Sequence, residues 1–272
     1  MSGGYLLPFI GIHLGCLLLL VTGVHADMVA VFLVTFPLRA FGITAGYHRY
    51  FAHRSYQTSR AFRFVLAVLG SLALQKGVLW WAAQHRRHHR WTDRAGDPHS
   101  PVRDGFWRAH MGWFLAADAP VLDPAAVPDL AREPELMWLD RWFVVPPLVL
   151  AVALWVLGGL PWLVAGFFCA TTFVWHGTYL VNSLGHRIGR RPFDTPDHSG
   201  NSFWLALLAW GEGWHNNHHR FPGSTRQGFR WWEVDLTYYC LRVLARLGIV
   251  WDLVEPPAAL LAASSESARA RS

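Results

Sequence analysis

The sequence has few cysteines and few charged residues, and each shortage excludes a class of protein. Its three cysteines, Cys16, Cys169 and Cys240, are far apart and none belongs to a C-x-x-C pair, which argues against a disulfide framework or a thiolate metal site. Only 15% of the 272 residues are charged, whereas 53% are hydrophobic. This balance is too apolar for an ordinary soluble domain and, without a repeat or low-complexity linker, predicts one membrane domain with a polar cap.

Long apolar runs predict the fold class. Four runs approach the roughly 20 helical residues that cross a hydrocarbon core, and they cover residues 5–24, 28–46, 143–160 and 162–180. A fifth run, 62–81, carries Gln75 and Lys76 near its end. Crossing there would separate the first two histidine clusters described below, so we expect this run to lie at the membrane surface. The sequence predicts an all-α integral membrane protein with four transmembrane helices in two hairpins and a cytoplasmic helical cap.

The arginines predict the orientation of these helices. Both hairpin turns lack Lys and Arg, whereas segments 49–141 and 187–271 are rich in arginine. The positive-inside rule therefore places both chain termini and the middle segment in the cytoplasm, and this surface accounts for the net charge of +6 without nucleic acid. We expect a single domain over residues 1–255, a disordered tail over 256–272, and a bacterial inner membrane in preference to the endoplasmic reticulum.

Histidine is unusually clustered. Eight of the 15 histidines form three short motifs, which are His48 and His53, then His85, His88 and His89, then His215, His218 and His219. The i, i+3, i+4 spacing of the last two motifs places three imidazoles on one helical face. The i, i+5 spacing of the first suits a single face poorly and predicts that its second histidine lies where the span ends. Imidazole binds Fe, Zn or Cu, and eight ligands exceed the needs of one ion, so the motifs predict a pair of metal ions rather than a closed, Cys-rich zinc site.

The motifs HxxxxH, HxxHH and HxxHH at these separations resemble the membrane fatty-acid desaturases, in particular the stearoyl-CoA (Δ9) desaturase-like branch. The resemblance runs from about residue 41 to residue 253. It includes GITAG at 42–46, DPH at 97–99, NSLGH at 182–186 and GEGW at 211–214. It implies an enzyme that uses two iron ions and O₂ to introduce a cis double bond, at Δ9, into a saturated acyl chain.

The resemblance also implies the iron ligands. One ion would be held by His48, His53, His85, His89 and His218, and the other by His88, His186, His215 and His219. Asn182 would contact the second ion through a water molecule. His186 is added by the resemblance alone, because no spacing singles it out. His99, His176 and His198 have no ligand counterpart and are interpreted as supporting or structural.

This chemistry explains why metal ions are needed. A methylene C–H bond offers no acidic proton and no leaving group, so the difficult step belongs to a metal cofactor and O₂. Acidic side chains should orient the ligand rings. The candidates nearby in the sequence are Asp93, Asp97, Glu212 and Asp235.

A path for the acyl chain is expected along the second span. Thr44, Ala40 and Phe36 lie at i−4, i−8 and i−12 from His48 and share one helical face over about 18 Å. The resemblance implies that Phe36 and Ala40 close the far end of a tunnel. It implies that Gln75, Trp81 and Thr178 shape the bend of that tunnel.

The substrate headgroup and the electron donor are less defined. Animal acyl-CoA desaturases carry Arg-Asp before the second motif and a basic pair further on, where this chain has Ala83-Gln84 and Ala116-Ala117. Acyl-CoA and an acyl chain on a membrane lipid therefore both stay open. No electron-carrier domain is evident, which predicts a separate ferredoxin-, rubredoxin- or cytochrome b5-like partner with its reductase.

Two other functions fit parts of the sequence. A related di-iron hydroxylase or ketolase would use the same oxidant, although the Asn182 and His186 element favours desaturation. A non-enzymatic metal-binding or transport protein would need ionisable residues aligned through the membrane. The spans contain only His13, Arg39 and His176, which disfavours transport.

Overall fold

The computed structural model describes residues 5–261, and the regular secondary structure of this part of the chain is almost entirely helical. Its α-helices are α1 (Leu6–Cys16), α2 (Leu19–Thr22), α3 (Ala26–Phe41), α4 (Arg60–Ser71), α5 (Val78–Trp91), α6 (Pro101–Asp104), α7 (Trp113–Leu115), α8 (Pro128–Ala131), α9 (Pro134–Arg141), α10 (Val145–Leu163), α11 (Ala170–Leu184), α12 (Phe203–Leu208), α13 (His215–Arg220) and α14 (Leu236–Arg246). The wider π-helices are π1 (Gly42–Ala52), π2 (Arg108–Gly112) and π3 (Val164–Cys169), and a 3₁₀ turn covers Pro124–Ala126. A short antiparallel ribbon joins β1 (Gln57–Thr58) to β2 (Val250–Trp251).

Two helical stretches in the described residues are long and apolar enough to cross a membrane. The first, Ala26–Ala52, joins α3 to π1, and the second, Val145–Leu184, joins α10, π3 and α11. Gly159, with φ 62° and ψ −154°, interrupts the second helix near the predicted turn at 158–161. The segment Leu6–Thr22 is also apolar but shorter. Both long stretches continue as helix beyond residues 46 and 180, where the predicted membrane spans end, because backbone hydrogen bonding extends into the polar segments.

The fifth apolar run is divided between two helices. α4 ends at Ser71 and α5 begins at Val78, and between them Leu74 and Lys76 have φ values of 53° and 66°. The 12 residues of α4 extend over about 18 Å, well short of a hydrocarbon core of about 30 Å. The division therefore allows α5 to carry the second histidine motif at an independent angle.

Close packing fixes α4 against π1. A Cβ atom on Gly42 would lie 2.3 Å from the backbone carbon of Leu69, and one on Gly70 would lie 2.2 Å from the ring of Tyr47. Small residues allow helix backbones to approach in this way. The contact positions π1, and with it the first histidine motif, against the rest of the cap.

Polar side chains on the apolar helices form hydrogen bonds to neighbouring helices. Arg39 is buried and donates to the carbonyl oxygens of Leu72 (3.0 Å) and Gly166 (2.7 Å). His176 Nε2 lies 3.0 Å from His13 Nε2, and His176 Nδ1 lies 3.0 Å from His110 Nε2. Each of these contacts joins separate helices, and such bonds stabilise association inside a membrane.

Part of the predicted disordered tail lies within the described residues. Residues 258–261 form a helical turn in which the amides of Leu260 and Leu261 donate to the carbonyl oxygen of Pro257 (2.9 and 3.2 Å). Proline favours the start of a helix because its φ is already helical. Residues 262–272 of the predicted tail lie outside the described residues.

Candidate metal centre

The first histidine motif lies on the π-helix π1. The amide of His53 donates to the carbonyl oxygen of His48 at 3.1 Å, the i to i+5 bond that defines a π-helix. This wider turn places residues five apart one above the other, and the two rings lie 4.8 Å apart. The expectation that this spacing suits one helical face poorly assumed α-helical geometry and is wrong. His53 does follow the last residue of the helix, Ala52.

The other two motifs lie on α5 and α13, where the i, i+3, i+4 spacing gathers three rings on one side. The two asparagines within the third motif anchor α13. Asn217 donates to Glu233 (2.8 Å) and to the carbonyl oxygen of Gln227 (2.9 Å), and Asn216 accepts from the amide of Phe193 (2.8 Å). The histidines of this short helix are therefore held in place by buried hydrogen bonds on its other side.

Nine histidines meet in two groups, within each of which the candidate ligand atoms lie no more than 4.8 Å apart. The five-histidine group contains His48, His53, His85, His89 and His218, and the four-histidine group contains His88, His186, His215 and His219. These memberships match the two sets that the resemblance implies. His186 enters from the segment after α11. His88, Asp97 and His99 also bring their candidate ligand atoms within 4.8 Å of one another. The carboxylate of Asp97, however, accepts a hydrogen bond from His88.

Four carboxylates hold the Nδ1 atoms of four rings. The pairs are Glu212 with His48 (2.5 Å), Asp97 with His88 (3.0 Å), Asp93 with His186 (3.1 Å) and Asp197 with His219 (3.0 Å). Asp235, the fourth candidate from the sequence, instead pairs with Arg49 at 3.0 Å. Asp197 is the acid that sequence reasoning missed, because it lies in an irregular segment with no motif spacing to His219.

The ring nitrogens face one another in a way that fits bound cations. A carboxylate on Nδ1 leaves the lone pair of a neutral imidazole at Nε2. The Nε2 atoms of His186 and His219 both face Nε2 of His215, at 2.9 and 3.1 Å. His215 can donate one proton at that atom and so satisfies only one neighbour. The buried Nε2 of His88 has no hydrogen-bond partner among the described residues, so the group suits a shared metal ion.

Burial favours the neutral form of six of these rings. Burial first, and then the neighbouring histidines, lower the imidazole pKa well below its usual value at six positions, which are His53, His85, His89, His215, His218 and His219. Burial alone would raise the pKa of Asp93 and Asp97, but the contacts with His186 and His88 outweigh it and lower both pKa values. Neutral imidazole and ionised carboxylate are the states that metal binding requires.

The remaining predicted histidines have supporting places. His99 stacks on His88 with ring centres 4.4 Å apart, and burial lowers its pKa to about 3. His198 is exposed, with its Nδ1 atom 3.4 Å from Asp93. His176 contacts His13 and His110 on other helices, as described above, and belongs to neither group.

Two cavities meet beside the histidines. One is lined by Phe36, Ala40, Thr44 and His48, and the other contains Gln75 and extends to Tyr5 and Lys76. Both cavities are lined by Trp81, His85, Thr178 and Asn182. The structure therefore brings every residue predicted for the substrate path to one of these cavities.

Hydrogen bonds hold the junction of the cavities. The side-chain nitrogen of Gln75 donates to the hydroxyl oxygen of Thr178 at 3.1 Å, and the indole N–H of Trp81 points to the side-chain oxygen of Gln75 at 3.4 Å. Trp81 also stacks on His85 with ring centres 4.9 Å apart. A path through both cavities would bend beside the five-histidine group.

The structure combines apolar helices, two histidine groups able to hold metal ions, and adjoining cavities. This combination defines a membrane oxidoreductase of the histidine-motif class. The family model for fatty acid desaturase matches residues 26–252, and the chain belongs to that family. It is a fatty-acyl desaturase.

Its similarity to characterised relatives covers most of the chain. It is 39% identical to sn-2 palmitoyl-lipid 9-desaturase of Nostoc sp. (strain 36), over 80% of this chain and 78% of that protein. It is 38% identical to sn-1 stearoyl-lipid 9-desaturase of Anabaena variabilis, over 90% and 91%. It is also 39% identical to Acyl-CoA 5-desaturase AL21 of Anemone leveillei, over 79% and 68%. The desaturase activity is therefore common to relatives whose names differ in acyl carrier and bond position.

Proposed function

We propose that this chain is a di-iron, O₂-dependent desaturase that places a cis double bond at Δ9 of a saturated acyl chain carried by a membrane lipid. The observation that carries the proposal is the position of the two histidine groups, whose lone pairs converge where two cavities join. Such a place allows an acyl chain to pass the metal ions with its middle beside them.

The nine histidines would hold two iron ions, with Asn182 contacting one of them through a water molecule. The ions supply, with O₂, the oxidising power that removes hydrogen from an unactivated methylene pair. The protein orients four of the ligand rings through Asp93, Asp97, Asp197 and Glu212. No additional catalytic side chain is proposed.

The cavity with Phe36 would hold the methyl end of the acyl chain. Phe36 contacts Phe173 and Phe32 with ring centres 5.5 and 5.6 Å apart, which closes this end with aromatic rings. Four residues of this cavity, from Phe36 through Ala40 and Thr44 to His48, follow one helical stretch, which offers length for a long saturated segment. The cavities join at a bend formed by Gln75, Thr178 and Trp81. This bend would give the acyl chain the kink that suits a cis product.

A lipid-linked acyl chain is the favoured substrate. The Nostoc and Anabaena relatives are named for lipid substrates, whereas the Anemone relative is named for acyl-CoA. Ala83 and Ala116-Ala117 offer no charge where acyl-CoA desaturases of the resembling branch carry basic side chains. A lipid that diffuses in the bilayer needs no grip on a nucleotide phosphate.

The proposed topology has four spans in two hairpins, with both termini in the cytoplasm of a bacterium and residues 1–255 as one domain. Turns at Gly23 (φ 67°) and Gly159 (φ 62°) would join the helices of each hairpin. Glycine adopts this left-handed conformation without the strain that a side chain causes. A separate ferredoxin-, rubredoxin- or cytochrome b5-like carrier would supply electrons from its reductase.

Expression in a host with a simple lipid profile tests the proposal. We expect new monounsaturated chains in the membrane lipids, with the double bond located at Δ9 by mass spectrometry, and none in a His218→Ala control. Purified iron-loaded protein should act on a stearoyl lipid in preference to stearoyl-CoA. Hydroxy acids in place of unsaturated chains, or a clear preference for the CoA ester, would contradict the proposal.

Phe36→Ala is expected to change chain-length selectivity. Removing the ring opens the closed end of the cavity, and a pocket distinguishes one methylene by about 10-fold or more. The kcat/KM ratio for substrates about two carbons longer should therefore rise about 10-fold, measured with paired acyl lipids. Phe203→Ala removes the same ring from an exposed position outside both cavities and serves as the control. Equal selectivity in wild type and Phe36→Ala would refute the role of Phe36 as a cap.

A further inference from the structure

The cavity that contains Gln75 also holds the one lysine of the chain. Lys76 lines this cavity together with Tyr5 and Trp80, and every other cationic side chain apart from histidine in the sequence is an arginine. The Lys76 ammonium lies 4.0 Å from the ring centre of Tyr5 and 5.4 Å from that of Trp80. These rings attract the ammonium but carry no net charge that would neutralise it.

Within the described residues this lysine has no acidic partner. None of the Asp and Glu side chains of residues 5–261 lines the cavity, and none forms an ion pair with Lys76. Arginines elsewhere in the cap have such partners, as Arg86 has in Asp129 at 2.7 Å. Burial lowers the pKa of Lys76, and an anion in the cavity would favour its charged form. The cavity therefore suits a ligand that carries negative charge.

The backbone of Lys76 is strained. Its φ is 66°, in the left-handed region that glycine adopts freely and a residue with a side chain adopts at a cost in free energy. Strain of this kind persists where the surrounding structure fixes it, and it concentrates at functional sites. A lysine at a turn that would suit glycine indicates that its side chain has a use in the cavity.

Three buried polar atoms of the same cavity have no hydrogen-bond partner among the described residues. They are Oε1 of Gln84, Nδ1 of His99 and Nε1 of Trp113. The Trp113 nitrogen can only donate, the His99 nitrogen donates in one neutral tautomer, and the Gln84 amide donates once its two ends are exchanged. A buried polar group without a partner costs free energy. All three groups can therefore serve a ligand rich in acceptors, such as an ester.

Stacked rings order these groups along the wall of the cavity. His99 stacks on the candidate ligand His88 and also contacts Trp113, with ring centres 4.4 and 4.9 Å apart. Trp113 stacks on Trp80, with ring centres 5.4 Å apart and planes 18° apart, and Trp80 contacts Lys76. The donors to an ester thus come first from the histidine groups outward, and the cation comes last.

We propose that this cavity binds the polar end of the substrate and that Lys76 selects lipids whose headgroup has a net negative charge. Lys76 pairs with the phosphate, while His99 and Trp113 donate to the oxygens of the acyl ester. This order matches a phospholipid, in which the phosphate lies beyond the ester as seen from the acyl chain. The inference rests on the proposed desaturation of lipid-linked chains and adds the class of headgroup that the enzyme selects.

The charges of the cavity distinguish the possible acyl carriers. One lysine matches the single phosphodiester of phosphatidylglycerol, whereas acyl-CoA carries several phosphate charges and the described cavity offers no second Lys or Arg. Phosphatidylcholine brings its own cation, which Lys76 repels, and a neutral glycolipid has no charge to pair with Lys76. Such unfavourable contacts contribute to specificity together with the favourable ones. Phosphatidylglycerol is therefore the preferred carrier.

Labelling of Lys76 tests occupancy of the cavity without turnover. Because the chain has one lysine, reductive methylation followed by peptide mass spectrometry reports on this side chain alone. Iron-loaded full-length protein would be methylated in neutral detergent with and without added lipid. Distearoyl phosphatidylglycerol at about ten times its Kd should slow the reaction about 10-fold, whereas the phosphatidylcholine analogue should have little effect. Equal protection by both lipids, or protection by neither, would overturn the proposal.

Headgroup selectivity in turnover tests the charge of Lys76. Lys76→Met keeps the length of the side chain, and we expect it to lower the kcat/KM ratio for phosphatidylglycerol over phosphatidylcholine about 10-fold. Lys76→Arg keeps the charge and should keep the ratio. Arg132→Met removes an exposed charge away from both cavities and should also keep it. An unchanged ratio in Lys76→Met, or an equal fall in Arg132→Met, would overturn the role of Lys76.

Two further results separate this inference from misfolding and from the proposed function. Lys76→Gly removes the charge and relieves the left-handed strain, so it should remain folded and still lose the preference for phosphatidylglycerol. A folded glycine variant that kept the preference would contradict the inference. Absence of unsaturated product from wild type with every lipid, with electron carrier and reductase in excess, would contradict the desaturase proposal itself. Equal wild-type rates with both headgroups would contradict only the selection by Lys76.

Discussion

A His186→Ala variant is expected to bind one iron ion per chain in place of two and to lose desaturation entirely. His186 contributes one of four ring nitrogens to its group, and its replacement leaves three ligands and an open side. It also leaves the buried carboxylate of Asp93 without its nearest ring. Loss of an outer partner alone costs about 10–100-fold in metal affinity, so loss of a ligand and its partner together should empty the site.

Iron content by mass spectrometry and lipid analysis of the same preparation would check this result. His198→Ala is the matched control, because His198 also approaches Asp93, at 3.4 Å, but its side chain is 57% exposed. We expect that control to keep two irons and full activity. Two irons in the His186→Ala protein would remove His186 from the ligand set, and loss of iron in both variants would assign the effect to Asp93.

Arg49→Leu is expected to destabilise the protein by about 3–5 kcal/mol. Arg49 is buried on π1, next to the candidate ligand His48, and its guanidinium pairs with Asp235 (3.0 Å) and Glu212 (3.2 Å). It also donates to the carbonyl oxygen of Thr225 at 3.0 Å. Without Arg49 both carboxylates stay buried without their cation, which is the costly way to break a buried pair.

Thermal unfolding in detergent should show a midpoint lower by about 10 °C, and the iron content should fall because Glu212 also holds His48. Arg60→Leu removes an arginine whose side chain is 72% exposed and paired with Glu135. Exposed pairs contribute about 0–1 kcal/mol, so this control should unfold close to wild type. Similar midpoints for Arg49→Leu and Arg60→Leu would show that the buried network adds little stability.

Local spacing explains how much of the site the sequence could predict. The positions His85, His88 and His89, like those of the third motif, lie within about one helical turn, so neighbouring residues in the chain are neighbours in space. The same reasoning failed for His48 and His53, where an α-helical turn was assumed and the chain forms a π-helix. Backbone hydrogen bonding, rather than side-chain type, makes that difference.

The sequence by itself determined the chemistry of the centre: which residues are imidazoles, how they are spaced within each motif, and which long apolar segments accompany them. Tertiary structure decided the pairing of motifs far apart in the chain, such as the stacking of His89 on His219, and the choice of Asp197 as the partner of His219. It also decided that Arg49 joins Asp235 to Glu212 inside the cap. Contacts of this kind depend on how whole helices cross, because packing brings together side chains that no local period relates.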